Sequence, residues 1–183
     1  RGEEVYYVWP WYWLCEGRAR ELANDVPLLQ WGKEGHLTLT PGNAGTDEPV
    51  IAKFVELYEQ LRPQQLLYDP NAVEQTTRRI CEAVGEDEGT YRIKFLQYPK
   101  YYNEPTNRFE ALVLDGKLRH PRNPLLTYQV GNVKLLKNLD GDKKPIKPDH
   151  GSYQTVDGVQ AAVMALAGEM TAEPPSVYES RGF

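Results

Sequence analysis

The sequence predicts an α/β domain in which helices flank a mixed β-sheet. Short β-prone apolar runs alternate along the chain with segments whose apolar residues recur at helical spacing. No internal repeat and no linker divides the sequence, and its 183 residues suit one domain with a sizeable core. Strands that alternate with helices in this way form one sheet whose faces the helices cover.

The predicted strands are runs of β-branched, aromatic and aliphatic residues that end at turn-forming residues. Pro10 marks a bulge or a sheet edge within the first run, because proline has no N–H to donate to a neighbouring strand. The predicted strands cover residues 5–15, 35–40, 65–68, 91–97 and 132–136, with a short extended piece at 117–120.

The predicted helices carry apolar residues three or four positions apart. Pro49 fits the first turn of one helix, where its missing N–H costs nothing. The predicted helices cover residues 18–24, 28–33, 49–61, 72–84, 103–115, 124–129 and 157–170. Residues 140–148 are predicted as a polar loop, and residues 171–183 as a flexible C-terminal tail that follows a domain of residues 1–170.

The composition narrows the classes of function. A net charge of −5 argues against a protein covered with nucleic-acid-binding charge, but it allows a local basic patch. Cys15 and Cys81 are too few and too far apart for a disulfide framework or a zinc site, so we expect a reducing, cytosolic setting. No apolar run is long enough to span a bilayer. Residues 1–4 lack the features of a signal peptide and are predicted to form a hairpin turn, so we expect the chain to start inside a domain.

Two aspartates at the ends of core elements are the most informative residues. Asp69 directly follows the apolar run 66–68 and precedes the turn-forming Pro70, and Asp157 opens an apolar-periodic helix. A carboxylate at the end of a buried strand is costly unless a cation or hydrogen-bond donors compensate its charge. Paired acids on rigid elements are typical ligands of a two-metal site. The alternative interpretation is an ordinary turn residue and an ordinary helix cap.

Several basic residues elsewhere in the chain are candidates for contacts with phosphate groups. A solvated surface is the alternative interpretation, since charged loops of this kind are common. The candidates are Arg78, Arg119, His120, Arg122, Lys143, Lys144 and Lys147. The sequence contains no GxxxxGK[ST] loop, no GxGxxG, no HExxH and no GxSxG, so those routes to nucleotide, metal or acyl chemistry are not indicated.

Several segments in a fixed order resemble the nuclease domain of the large terminase subunit of tailed bacteriophages. They are LTLTPGN at residues 37–43, LLYDPNA at 66–72, FEALVLDGKLRHPRNPLL at 109–126, GNVKLL at 131–136, IKPD at 146–149 and VDGVQAAVMAL at 156–166. The resemblance covers nearly the whole chain up to the tail. It implies a ribonuclease H-like fold, with a mixed central sheet flanked by helices, whose first strand is expected to be missing from this chain.

The resemblance also implies an activity and a set of partners. It implies metal-dependent cleavage of concatemeric double-stranded DNA during genome packaging, in the cytoplasm of a host bacterium. Asp69 and Asp157 match two catalytic acids of the family, and both are expected to bind Mg²⁺ or Mn²⁺ in a two-metal site. The implied partners are DNA, the terminase ATPase domain, the small terminase subunit and the portal, with no role for a membrane.

The sequence departs from the family pattern at three places, which keeps two alternatives open. The strand that carries the first catalytic acid is not matched, Pro70 runs directly into Asn71, and residues 150–156 are poor in Lys and Glu. One alternative is a non-catalytic module of a decayed prophage terminase that docks DNA or the portal. The other is a different ribonuclease H-like nuclease, such as a resolvase or a transposase core.

Overall fold

In the computed structural model, which describes residues 4–149 and 153–171, eight helices are interspersed with eight short strands. The helices are α1 (Glu16–Glu21), α2 (Leu28–Lys33), α3 (Glu48–Leu61), α4 (Glu74–Val84), α5 (Glu88–Tyr91), α6 (Pro99–Leu114), α7 (Pro124–Gly131) and α8 (Asp157–Thr171). The strands are β1 (Tyr6–Tyr7), β2 (Trp13–Cys15), β3 (Thr38–Thr40), β4 (Leu66–Tyr68), β5 (Arg92–Lys94), β6 (Leu118–Arg119), β7 (Lys134–Lys137) and β8 (Lys143–Ile146). The α/β class predicted from the sequence is confirmed.

The strands pair in both directions, as a mixed α/β fold requires. The pairs β1–β6, β2–β3 and β4–β5 are parallel, and the β7–β8 pair is antiparallel. Within the described residues these pairs form four two-stranded sheets rather than one continuous sheet. Every predicted helix is present, and α5 is an additional short helix whose last residue, Tyr91, is the first residue of the predicted strand 91–97.

Two predictions about strands are wrong. The run 5–15 is divided into β1 and β2, because its two ends pair with different strands, β6 and β3, and Pro10 lies in the irregular segment between them. The polar loop predicted at 140–148 contains β8, whose residues pair with β7 from Lys143 opposite Lys137 to Ile146 opposite Lys134. This strand forms because β7 satisfies its backbone hydrogen bonds, and the polar composition of residues 140–148 does not indicate such a partner.

The tail predicted at residues 171–183 begins with Thr171, which is the last residue of α8. Residues 172–183 lie outside the described residues, so the tail stays a prediction. No helix in the described ranges is both long enough and apolar enough to cross a membrane.

Helix α8 packs against β4 and runs in the opposite direction. A Cβ atom on Gly168 would lie 2.6 Å from Leu67 Cδ1, so the C-terminal half of α8 contacts the middle of β4. One turn earlier, the sulfur of Met164 accepts a hydrogen bond from Gln97 Nε2 at 3.7 Å, and Gln97 lies beyond the carboxyl end of β5. Because β4 and β5 are parallel, the N-terminus of α8 lies toward the carboxyl ends of both strands.

A buried arginine ties β4 and β5 to the helices that follow them. The Arg92 side chain is 7% exposed, and it donates to Glu74 Oε1 at 3.1 Å, to the Glu74 carbonyl at 2.9 Å and to Glu88 Oε2 at 2.9 Å. Its guanidinium carbon lies 5.0 Å from the centroid of the Tyr68 ring, and the Tyr68 hydroxyl donates to Glu74 Oε2 at 2.8 Å. These contacts position the β4–α4 connection, which begins at Asp69.

Replacing Arg92 by methionine is expected to lower the free energy of unfolding by about 2–3 kcal/mol, because the carboxylates and the Glu74 carbonyl lose charge-assisted hydrogen bonds. Chemical denaturation followed by circular dichroism measures this change. The matched control is Arg79→Met, since Arg79 is 47% exposed and pairs with Glu48, which is 67% exposed. We expect little change in the control, and equal losses in the two variants would contradict a structural role specific to Arg92.

Candidate active site

Asp69 directly follows β4 and is half-buried. Its Oδ1 atom accepts a hydrogen bond from the Asn71 backbone N–H at 2.9 Å, and its carbonyl accepts from the N–H groups of Ala72 and Val73 at 3.2 Å. Asp69 therefore stabilises the turn that follows it, as the alternative interpretation expected. The turn uses one carboxylate oxygen and holds the side chain at the carboxyl end of the strand.

Asp157 is the first residue of α8 and is exposed. The next N–H group along the chain, that of Gly158, donates to Gln129 Oε1 at 2.9 Å. The same oxygen accepts from the Tyr12 hydroxyl at 3.2 Å, and Gln129 Nε2 donates to Thr155 Oγ1 at 2.9 Å. Gln129 is buried, and its side chain accepts two hydrogen bonds and donates one, so it fixes where α8 starts.

The negative charge of Asp157 acts on the hydroxyl group of Tyr12. The pKa of Tyr12 is raised from 10 to about 12. Burial of the phenol is the larger cause, and the charge of the Asp157 carboxylate is the second. Tyr12 is therefore protonated at neutral pH and acts as a hydrogen-bond donor to Gln129.

A cavity of about 590 Å³ opens beside the start of α8. Helix α8 contributes Asp157 and Gln160, β8 contributes Lys144, and Lys147 and Asp149 follow β8. Gln160 Nε2 donates to the Pro145 carbonyl at 2.7 Å, which joins α8 to β8 and holds the two walls together. The cavity therefore combines acidic and basic side chains from two successive elements, β8 and α8, and from the segment between them.

Lys144 connects this cavity with Asp69. Its Nζ atom donates to the Gln97 carbonyl at 2.7 Å, and Gln97 lies at the same end of the β4–β5 pair as Asp69. Burial lowers the pKa of Lys144, and the negative charge of Asp69 partly opposes that shift. The structure thus gathers Asp69, Asp157, Lys144 and Lys147 at one end of the fold, although Asp69 itself is not among the residues that line the cavity.

Comparison with known protein families decides which kind of domain this is. The model of the family "Terminase large subunit, endonuclease domain" matches residues 22–173. The chain belongs to this family.

Two individual relatives match most of this chain. The chain is 26% identical over 172 residues to the terminase large subunit of Enterobacteria phage HK97, covering 91% of this chain and 33% of that protein. It is 26% identical over 147 residues to the protein YmfN of Escherichia coli (strain K12), covering 79% of this chain and 30% of that protein. The chain therefore spans about a third of the length of these relatives.

Solved structures of terminases show the same fold. The crystal structure of the HK97 bacteriophage large terminase superposes with a TM-score of 0.75 at 25% identity, covering 90% of this chain and 34% of that one. The large terminase nuclease from the thermophilic phage G20c superposes with a TM-score of 0.50 at 14% identity, covering 72% of this chain and 66% of that one. The ribonuclease H-like fold expected from the sequence is confirmed by these neighbours.

The other basic residues named from the sequence do not line the cavity of this terminase domain. Arg78 pairs with Glu88 at 3.2 Å, and Lys143 donates to Asn107 at 3.0 Å on the surface of α6. Arg119 lies in β6 and donates to the Gly116 carbonyl. His120 and Arg122 are exposed in the segment that follows β6.

Oxygen donors of the kind that divalent cations bind lie at this end of the terminase domain. Within the described residues, no three His, Cys, Asp or Glu side chains form a group arranged to hold a metal ion. The hard oxygen donors at this end of the fold are the carboxylates of Asp69 and Asp157, with Asp149 on the cavity wall. Mg²⁺ commonly takes one or two protein carboxylates and completes its shell with water and substrate phosphates. The donor chemistry therefore fits such an ion.

Sequence analysis missed the side chains that position the acids, chiefly Gln129, Tyr12 and Gln97. The bond between Tyr12 and Gln129 spans 117 residues and the bond from Lys144 to Gln97 spans 47, so no local spacing indicates them. One signal was available, because Gly158 follows Asp157 directly. A Cβ atom at Gly158 would lie 2.1 Å from the Tyr12 hydroxyl oxygen and 2.4 Å from Gln129 Oε1. Glycine is required there for close approach of the backbone to Tyr12 and Gln129.

Gly158→Ala is expected to lower the free energy of unfolding by about 1–3 kcal/mol, because the added methyl group displaces the side chains of Tyr12 and Gln129 from their positions against the helix start. Thermal melting measures the loss. The matched control is Gly131→Ala, since a Cβ atom at Gly131 meets no atom within 4 Å. Alanine is the better helix former, so the control should be neutral or slightly stabilising. A neutral Gly158→Ala variant would show that the close packing is unimportant.

Proposed function

We propose that this domain is a metal-dependent DNA endonuclease that cleaves concatemeric double-stranded DNA during genome packaging. Family membership supports the nuclease class. The observation that carries the proposal is the cavity in which Asp157, Lys144 and Lys147 meet, with Asp69 near enough for its charge to act on Lys144. Phosphodiester hydrolysis needs carboxylates that bind cations beside positively charged side chains that bind phosphates, and this cavity has both kinds of residue.

In the proposed reaction, a water molecule adds its oxygen to phosphorus and the bond from phosphorus to the 3′ oxygen breaks. The products are a 5′-phosphate and a 3′-hydroxyl, and the proton lost by the water is balanced by the one gained at the 3′ oxygen. Asp69 and Asp157 would hold Mg²⁺ or Mn²⁺ in a two-metal site. Ions bound there would lower the pKa of water and stabilise charge on the phosphate.

The chain's own residues have separate roles in this proposal. The turn at Asn71 orients one oxygen of Asp69, and the Gln129 amide holds the helix start that carries Asp157. Lys144 and Lys147 are proposed to bind DNA phosphates at the cavity. The cavity lining does not include Arg78, Arg119, His120 or Arg122, which are proposed to contact the duplex farther from the cut. Lys143 is held by Asn107 on α6, and no DNA contact is proposed for it.

The function of the whole protein is a proposal of wider scope, because the chain spans about a third of its relatives' length. We propose an ATPase domain in the complete protein, and the small terminase subunit and the portal as partners, in the host bacterial cytoplasm. Residues 1–170 are proposed to form the nuclease domain, with residues 171–183 as its tail.

A non-catalytic docking module is the second candidate. The observation in its favour is the lack, within residues 4–149 and 153–171, of a group of three acids or other ligands arranged for a metal ion. Membership of the terminase family favours a terminase over a resolvase or transposase core. Binding of Mn²⁺ separates the nuclease from the docking module, because a module that only docks has no need of a cation at Asp69.

Asp69→Asn and Asp157→Asn are each expected to reduce Mn²⁺-dependent plasmid cleavage by the full-length protein by at least about 100-fold, because each removes a charge that holds the cation. Asparagine keeps the Oδ1 acceptor used by Asn71 and is a good residue at a helix start, so folding should be unaffected. Gel electrophoresis of supercoiled plasmid measures the cleavage, with EDTA as the metal-free reference.

The matched control is Asp25→Asn, which removes the same charge at an exposed site away from the cavity. Mn²⁺ should raise the melting temperature of the wild type and of this control, and should do so less in the two site variants. Wild-type cleavage by either site variant would disprove the assignment. A wild type that neither cleaves DNA nor responds to Mn²⁺ would favour the docking module.

A further inference from the structure

Two adjacent lysines of β8 have different surroundings. Lys143 donates to Asn107 Oδ1 at 3.0 Å and lies 4.0 Å from Glu110, both on α6. Lys144 points to the other side of the strand, where it lines the cavity that also contains Asp157. The pair therefore provides one cation outside the cavity and one inside it, on the same rigid strand.

The ammonium group of Lys144 is held by neutral groups. Its Nζ atom donates to the Gln97 carbonyl at 2.7 Å and lies 3.4 Å from Gln97 Oε1. It also lies 5.0 Å from the centroid of the Tyr102 ring, and the fully buried Tyr102 donates its hydroxyl to Gln97 Oε1 at 2.8 Å. These groups fix the direction of the ammonium without neutralising its charge.

No carboxylate of the described residues forms an ion pair with Lys144, although Asp69 is near enough to influence it electrostatically. A lysine ammonium has three N–H donors. Of these, the described residues account for two, both directed at Gln97. A half-buried ammonium that has a third N–H donor, and no ion pair with a carboxylate of the described residues, is able to bind an anion that enters the cavity.

We propose that Lys144 contacts the phosphate group at which the DNA strand is cleaved, and that Gln97 and Tyr102 hold its ammonium in place for this contact. The inference rests on the proposed nuclease function and extends it by assigning one lysine to the reacting phosphate. A preorganised cation beside that phosphate stabilises the charge that develops on it in the transition state. Lys143, which is held against α6, has no such role.

The competing explanation is that Lys144 only clamps β8 to the segment after β5. The substitution Gln97→Glu distinguishes the two explanations. It places a carboxylate beside the ammonium, so it strengthens a clamp but neutralises the charge that a phosphate would bind. A clamp predicts an active protein of unchanged or higher stability, whereas phosphate contact predicts a stable protein with impaired cleavage.

The experiment measures Mn²⁺-dependent cleavage of plasmid DNA by the full-length protein as a function of DNA concentration. The variants are Lys144→Gln, Gln97→Glu and the matched control Lys143→Gln, which removes the same charge from the neighbouring position. We expect Lys144→Gln and Gln97→Glu to lower kcat by at least about tenfold. The KM for DNA should change by less than about threefold, because the duplex is held through many phosphates. Lys143→Gln should stay near the wild-type kcat.

Melting temperatures with and without Mn²⁺ complete the test. Gln97→Glu should melt at or above the wild-type temperature and keep the rise that Mn²⁺ produces, since Asp69 and Asp157 are unaltered. Wild-type kcat in Gln97→Glu, or equal kcat in Lys144→Gln and Lys143→Gln, would overturn the inference. If Lys144→Gln does not fold, Gln97→Glu decides alone. Failure of the nuclease function itself would be recognised separately, by full activity in Asp69→Asn or by an inactive wild type.

Discussion

The buried amide of Gln129 is the constraint on which the geometry of the acidic end depends. It accepts hydrogen bonds from the Gly158 N–H and from the Tyr12 hydroxyl, and it donates one to Thr155. One side chain therefore joins α7, the residue directly before β2 and the start of α8. Leaving any of these groups unsatisfied in the interior would cost free energy, which holds the arrangement in a single form. The position of Asp157 follows from it.

The second acid is positioned by a different network. Arg92 links the Glu74 and Glu88 carboxylates and lies against Tyr68, so the turn that carries Asp69 is bound to β4 and β5. The two networks meet where α8 packs antiparallel to β4 and where Lys144 bonds to Gln97. Asp157 thus lies at the start of a helix and Asp69 directly after a strand, and neighbouring side chains hold both positions, as the ligands of the proposed metal site require.

Charge is distributed unevenly in a protein whose net charge is −5. Lys144 and Lys147 line the same cavity as Asp157 and Asp149, so their positive charges offset the negative charge of these acids. An anionic duplex approaching this cavity meets cations within a protein that otherwise repels it. The proposed DNA binding would then draw on local positive charge and weaken as the ionic strength rises.

The sequence by itself determined the α/β class, the helices and the two aspartates as candidates, because hydrophobic periodicity and chain-breaking residues are local signals. Helix α8 begins at the predicted Asp157, and α3 begins one residue before the predicted Pro49. Tertiary structure alone decided the division of the run 5–15 and the formation of β8, because strand formation depends on a distant partner. It also decided the hydrogen-bond partners of Gln129, Gln97 and Lys144, since side-chain hydrogen bonds across the fold have no signature in the local sequence.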